Sequence, residues 1–195
     1  MSETKHLHQM NNGLVLLAEE VPTSEAVSYN LLVPCGTVDD PADRPGLTGL
    51  VSEMIVRGAG DYDNRELVYA FENIGADSSE SVSQSHSSFS AALLADNVGQ
   101  ALSLTADIVR RPHFPEEEME PSRQVLLQEI AGMEDEPSRK MMTELGMVFF
   151  PYPWGRPAFG TEAGLTASSL DDVRHHYETG YSPDGAILSA AGKID

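Results

Sequence analysis

The apolar residues of this chain come in short runs, each cut off by glycine, proline or a polar cluster, and that punctuation limits what it can fold into. Asn11-Asn12-Gly13 signals a turn, after which Leu14 to Ala18 reads as a buried strand ended by Val21-Pro22-Thr23-Ser24. Ala26 to Cys35, rich in valine and leucine, reads as a second strand. Two strands joined through so short a turn predict an antiparallel pair. Residues 1–10 show no comparable pattern and are read as a loose arm.

Gly36 to Arg44 is a polar loop. Pro45-Gly46 opens a helix that Gly58-Ala59-Gly60 closes, since proline suits a first helical turn and glycine an end. Asp63 and Glu66 form a capping-box pattern, with Leu67, Phe71 and Ile74 on one face and Gly75 ending the helix. The serine-rich stretch 76–88 runs into Phe89 to Leu94 and reads as a polar edge strand hairpinned to that next strand. Asp96 is read as the cap of a helix carrying Val98, Leu102, Ala106 and Val109, stopped by Arg110-Arg111-Pro112. Pro115 with Glu116, Glu117 and Glu118 begins a long helix to about Asp135, acidic residues suiting its positive start. Pro137 interrupts it, and a further helix reaches Phe150. Ser168 or Ser169 caps a last helix to about Thr179, and Ala186 to Ala191 is a final strand. Strands and helices mix without strict alternation, which predicts an α+β fold with helices packed on one face of a sheet.

The 195 residues suffice for one domain with a real core. Twelve basic against 31 acidic residues give 12 − 31 = −19, a balance that argues against a nucleic-acid partner. The surplus reads as a solubilising acidic surface, or as a field that attracts basic peptides. No apolar run reaches the roughly 18 residues needed to span a bilayer, and Met-Ser-Glu-Thr-Lys-His lacks a secretory layout. The expectation is a soluble, cytoplasmic protein without membrane contact, unless a leader has been removed. Cys35, the single cysteine, can form no intrachain disulfide and reads as a buried small hydrophobe.

Candidate chemistry is sparse. There is no Gly-x-Ser-x-Gly elbow, and Gly58-Ala59-Gly60 lacks the further residues of a phosphate-cradling loop. None of the six histidines makes the i, i+4 pair that sets two imidazoles on one helix face. His6 and His8 could chelate if extended, and His175-His176 reads as a surface pair. Composition and spacing alone stop at an α+β domain of unknown function.

The order of segments goes further. Asn12-Gly13-Leu14-Val15-Leu16-Leu17, Gly36-Thr37-Val38-Asp39-Asp40, and Gly46-Leu47-Thr48-Gly49-Leu50-Val51-Ser52-Glu53-Met54-Ile55-Val56-Arg57-Gly58 come first. Gly75-Ala76, the pattern Arg110-Pro112-Phe114, Arg123 to Ile130 and Glu134-Asp135-Glu136-Pro137 follow. Phe159-Gly160-Thr161, Tyr181-Ser182-Pro183 and Gly192-Lys193-Ile194-Asp195 complete the series. In this order and spacing the chain resembles the pitrilysin and mitochondrial-processing-peptidase family, metallopeptidases with an inverted zinc motif, over nearly all of its length after about residue 10. The resemblance implies a two-layer sandwich with a mixed, mostly antiparallel sheet, filled here by one amino-terminal domain over 11–195. The family's second domain is then absent from this chain.

The resemblance places the family's first zinc histidine on Gly49, its general-base glutamate on Ser52, its second zinc histidine on Glu53 and its third ligand on Glu129. The interval 129 − 53 = 76 agrees with the family's spacing. A further acidic residue of the family falls on Ser122. Glycine has no ligand atom, and a serine hydroxyl will not accept a proton from water near neutral pH. Catalytic zinc needs three protein ligands and an open position. The degenerate positions Gly49, Ser52 and Glu53 therefore predict neither zinc nor peptidase chemistry, with Glu129 as the surviving ligand position. Ser79 stands where the family carries an asparagine on a peptide-pairing edge strand, which makes Ser79, Ser81 and Ser83 the peptide-binding candidates.

The resemblance implies a non-catalytic partner of an active homologous subunit, or a self-associating chain, that binds peptide or unfolded polypeptide. One alternative is a zinc-dependent metalloendopeptidase with a rearranged site, in which His86 or His113 joins Glu53 and Glu129. Another is a structural module.

Overall fold

The last described strand is inserted between the second and third. A computed structural model describes residues 4–194. Its strands are β1 (Thr4–Gln9), β2 (Val15–Glu20), β3 (Ala26–Val33), the two-residue β4 (Gly58–Ala59) and β5 (Tyr62–Asp63), β6 (Asp77–Val82), β7 (Ser87–Leu94) and β8 (Ile187–Gly192). Its helices are α1 (Leu47–Ile55), α2 (Asn64–Asn73), α3 (Val98–Arg110), α4 (Met119–Gly132), α5 (Pro137–Phe149), α6 (Glu162–Ala167) and α7 (Leu170–Gly180).

Six strands form one sheet in the order β1-β2-β8-β3-β7-β6. β8 runs parallel to β2 and antiparallel to β3, and the other pairings are antiparallel. This is the mixed, mostly antiparallel α+β architecture expected. Along β3 and β7, alternate residues Val27, Tyr29, Val33, Phe89, Ala91 and Leu93 are buried, the period of a half-covered sheet. All but Val27 belong to one core that also holds Leu50, Val51, Met54 and Ile55 of α1.

Two expectations change. β2 and β3 are not paired with each other, because β8 lies between them and bonds to both. Backbone edges carry no side-chain code for their partner, so a strand more than 150 residues away can displace the sequence neighbour. The arm expected over 1–10 is not loose where it is described: Thr4–Gln9 pairs antiparallel with β2 from Thr4↔Glu20 to Gln9↔Val15. All six of its side chains are exposed, so it leaves no apolar periodicity to read. Residues 1–3 lie outside the described residues.

Local signals were otherwise close. Asp63 and Glu66 form the capping box of α2, and Ser169 with Asp172 forms that of α7. Asp96 does not cap α3; it sits in a 3-10 turn over Ala95–Asn97. The short α6, capped by Thr161 through Gly164 N–H, was not anticipated.

α1 is the most enclosed helix. Of its nine residues only Glu53 is not buried. A buried helix start must find acceptors for its free N–H groups inside the protein. Gly46, the N-cap residue, has no side chain to offer, and Asp40 supplies them from the preceding loop. Its Oδ2 accepts from Gly46 N–H at 2.7 Å, and its Oδ1 accepts from Thr48 N–H and Thr48 Oγ1, each at 2.7 Å. Asp40 itself is held by Arg156, which donates to the Asp40, Thr37 and Val38 carbonyls. Removing the carboxylate strands two buried backbone donors, Gly46 N–H and Thr48 N–H, while the Thr48 hydroxyl keeps the Gly36 carbonyl at 3.1 Å. Asp40→Ala should cost about 2 to 4 kcal/mol in urea unfolding, and a loss below about 0.5 kcal/mol would show that the cap is dispensable.

Candidate functional site

α1 packs against α4, with Gly49 beside Leu126. Gly49, Ser52 and Glu53 lie at i, i+3 and i+4 on α1, while Ser122, Leu126 and Glu129 lie at i, i+4 and i+7 on α4. Leu126 is buried, and a Cβ added at Gly49 would stand 3.4 Å from its Cδ1 and 3.7 Å from its Cδ2, ordinary contact distances. The backbone at Gly49 is helical, so neither space nor conformation demands glycine here. A helical glycine costs about 1 kcal/mol relative to alanine. The position accepts a Cβ, and as glycine it carries no ligand atom.

The remaining groups are equally unsuited to zinc. Ser52 is 6 % exposed, and the wholly buried Ser122 Oγ has no hydrogen-bond partner among the described residues. Glu53 is engaged by Arg57, Oε2 to Nη2 at 3.3 Å, and Glu129 by Arg139 on α5, Oε2 to Nη2 at 3.1 Å. No imidazole is placed on either face. Among the described residues no group of three or more His, Cys, Asp or Glu side chains could hold a metal ion. The donor set of α1 and α4 does not fit tetrahedral zinc.

The structure does not assemble the rearranged site either. His86 Nδ1 is hydrogen-bonded to Ser83 Oγ at 2.9 Å, and His113 Nε2 to the Gly60 carbonyl at 2.8 Å. His6 pairs with Glu20 at 2.6 Å on the exposed β1.

β6 is an edge strand, paired only with β7. Its register, Ser78↔Ala91 and Glu80↔Phe89, sets Ser78 and Glu80 on the helix-covered side with buried Ala91 and Phe89. Ser79 and Ser81 point to the other face, where Ser79 Oγ meets Ser90 Oγ at 2.9 Å. Ser83 lies in the following turn and bonds to His86. The helix side of β6, with α1 and α2, borders a cleft of about 420 Å³ into which Glu53 and Glu80 both face. Although Glu80 keeps much of its surface in solvent, partial desolvation beside the cleft and then the nearby Glu53 hold its carboxyl above the ordinary range. Glu80 was not singled out in the sequence, where it is one polar residue in a polar run.

A second cluster also escaped. His176, expected on the surface beside His175, is 7 % exposed. Three residues on from buried Val173, it turns inward while His175 stays outside. That i, i+3 spacing was the available signal. Its Nε2 lies 2.8 Å from Thr48 Oγ1, 3.7 Å from Cys35 Sγ and 3.9 Å from Asp40 Oδ1. Since Thr48 Oγ–H donates to Asp40, neutral His176 donates its Nε2–H to Thr48. Burial, then Asp39 and Asp40, push the fully buried Cys35 thiol up to about 12, so it is no nucleophile. The cluster clamps α7 to the start of α1.

Burial lowers the His176 pKa below its usual 6.5, against the opposing pull of Asp40 and Asp39 and with the help of His175. The unfolded chain therefore takes up this proton first as pH falls. The corresponding stability is present above about pH 6.5 and is lost progressively below it. Melting temperature should fall from pH 7 to pH 5 more steeply in the wild type than in His176→Gln; equal slopes would exclude a buried neutral imidazole.

Comparison with known proteins adds family context. The model of the family described as Insulinase (Peptidase family M16) matches residues 15–162. An uncharacterized zinc protease of Rickettsia felis is 26% identical over 196 residues, covering 100% of this chain and 48% of that protein. A probable mitochondrial-processing peptidase subunit beta of Arabidopsis thaliana is 24% identical, covering 94% and 35%. A solved structure described as the peptidase M16 inactive domain from Pseudomonas fluorescens superposes with a TM-score of 0.89 at 18% identity, over 98% of this chain and 47% of that one. The chain thus spans about half the length of the curated relatives it matches first.

Proposed function

The chain belongs to the insulinase (M16) peptidase family, and from that premise we propose that it is a non-catalytic member, a peptide-binding or regulatory partner of an active metallopeptidase subunit. One observation carries this reading. The α1 face offers glycine, serine and an arginine-paired glutamate where the resemblance expects histidine, a general base and histidine. Without an imidazole pair no Lewis acid is held, and without a base near the water no proton leaves it. The family's zinc would have only Glu53 and Glu129 as protein ligands, each already facing a guanidinium. A bound cofactor is accordingly no part of the proposal.

Peptide binding survives such a loss, because strand addition at β6 uses backbone groups that the catalytic face never supplied. Support for a protein partner comes from α5. It buries none of its residues, and it leaves Met141, Met142, Leu145, Val148 and Phe149 exposed, with Trp154 just beyond. Large exposed apolar side chains gathered on one element mark association surfaces. The partner in this reading is a homologous catalytic subunit, with self-association as the other use of the same surface. No described helix is long and apolar enough to cross a membrane, and a cytoplasmic location belongs to the same proposal.

The purified chain should cleave a mixed peptide substrate no faster than buffer, with or without chelator. Titrated into a catalytically active homologue, it should co-elute with it and change its turnover or substrate range. Chelator-sensitive cleavage by the chain alone would overturn the non-catalytic reading, and failure to associate would overturn the partner role.

A further inference from the structure

The turn that joins β1 to β2 lies at the sheet edge opposite β6 and combines features that no other part of the chain does. Gly13 N–H donates to the Met10 carbonyl at 3.0 Å, and Met10 N–H to the Leu14 carbonyl at 2.8 Å, just beyond the last strand pair, Gln9↔Val15. Gly13 has φ +89°, and a Cβ there would stand 2.3 Å from Asp184 Oδ1 and 2.8 Å from Asp184 Cα. Conformation and space both demand glycine. Asn12 before it is exposed, and its Oδ1 accepts from Leu14 N–H at 3.3 Å. That bond folds the side chain back over its own following peptide, which brings Asn12 Cγ toward the Gly13 nitrogen.

An asparagine held this way can react with its own backbone. The Gly13 nitrogen gives up its proton to solvent and bonds to Asn12 Cγ. The bond from Cγ to Nδ2 breaks, and Nδ2 leaves as ammonia with a proton taken from water, so a five-membered succinimide closes. Water then opens the ring at either carbonyl. Attack at Cγ leaves an aspartate in the original chain. Attack at the main-chain carbon leaves an isoaspartate, whose backbone runs through Cβ and Cγ. Water enters, ammonia leaves and nothing is oxidised. The other asparagines lack the geometry. Asn30 lies within β3, Asn64 and Asn73 in α2 and Asn97 before α3, and each precedes a residue with a bulky side chain. The Gly13 N–H must first leave Met10, and the hairpin allows that opening, because β1 pairs only with β2 and all six of its side chains are exposed.

We propose that Asn12 is a self-modifying site, and that its isoaspartyl product releases β1 from the sheet. The longer backbone no longer fits a turn closed by two hydrogen bonds, and a new carboxylate lies near Asp184. β1 has no buried side chain to hold it once the turn fails. Its departure uncovers the backbone edge of β2.

The test ages the purified chain in warm, mildly alkaline buffer and maps amide loss by proteolysis and mass spectrometry, with fragmentation that separates isoaspartate from aspartate. Conversion at Asn12 should run at least about tenfold faster than at Asn30, Asn64, Asn73 or Asn97. Hydrogen exchange should show the Thr4–Gln9 amides losing protection in the aged isoaspartyl fraction, while freshly made Asn12→Asp, with the charge but the ordinary backbone, keeps it. No conversion at Asn12, or conversion no faster than elsewhere, overturns the site. Unchanged protection of β1 in the isoaspartyl fraction, or equal loss in fresh Asn12→Asp, overturns the release by a lengthened backbone.

Discussion

The buried start of α1 is the constraint on which the site depends. A helix enclosed on every side but Glu53 has no water for its first N–H groups, so the loop before it must deliver an acceptor. Asp40 delivers one, and the same carboxylate takes the Thr48 hydroxyl, which in turn accepts from His176 on α7. One polar chain fixes α7 to a loop and helix start more than 120 residues before it. Arg156, from the loop after α5, ties the Asp40 backbone into the same network. The direction in which α1 presents Gly49, Ser52 and Glu53 follows from that anchoring.

Frame and chemistry have separated in this protein. The sheet order, the packing of α1 on α4 and the carboxylate of Glu129 are in place. A Cβ at Gly49 would stand at ordinary contact distance from Leu126. In the non-catalytic reading proposed above, the difference lies in a few side chains of α1. Both glutamates on these faces are paired with arginines, Glu53 with Arg57 and Glu129 with Arg139.

Much of the fold was legible because its signals are local. The Asp63 capping box, the polar edge strand leading into Phe89 and the proline break before α5 are each decided within a few residues. The errors came from non-local choices. Nothing in Leu14 to Ala18 says that β8 will separate it from β3, and nothing in Thr4 to Gln9 predicts pairing, since all six side chains are exposed and show no apolar alternation. The register of Gly49, Ser52, Glu53 and Glu129 rests on the resemblance and its spacing. His176 and Glu80 were not, since their environments are built by Thr48 and Glu53 from other elements.

The central claim is that the frame is intact and the donors are absent. Zinc titration by calorimetry, on the wild type and on the combined Gly49→His, Ser52→Glu, Glu53→His variant, tests it most directly. The wild type should give no saturable heat, while the variant, with Glu129 as third ligand, should bind one equivalent. One equivalent of tightly bound zinc in the wild type would contradict the loss of the donors, and no binding by a folded variant would contradict the intact frame.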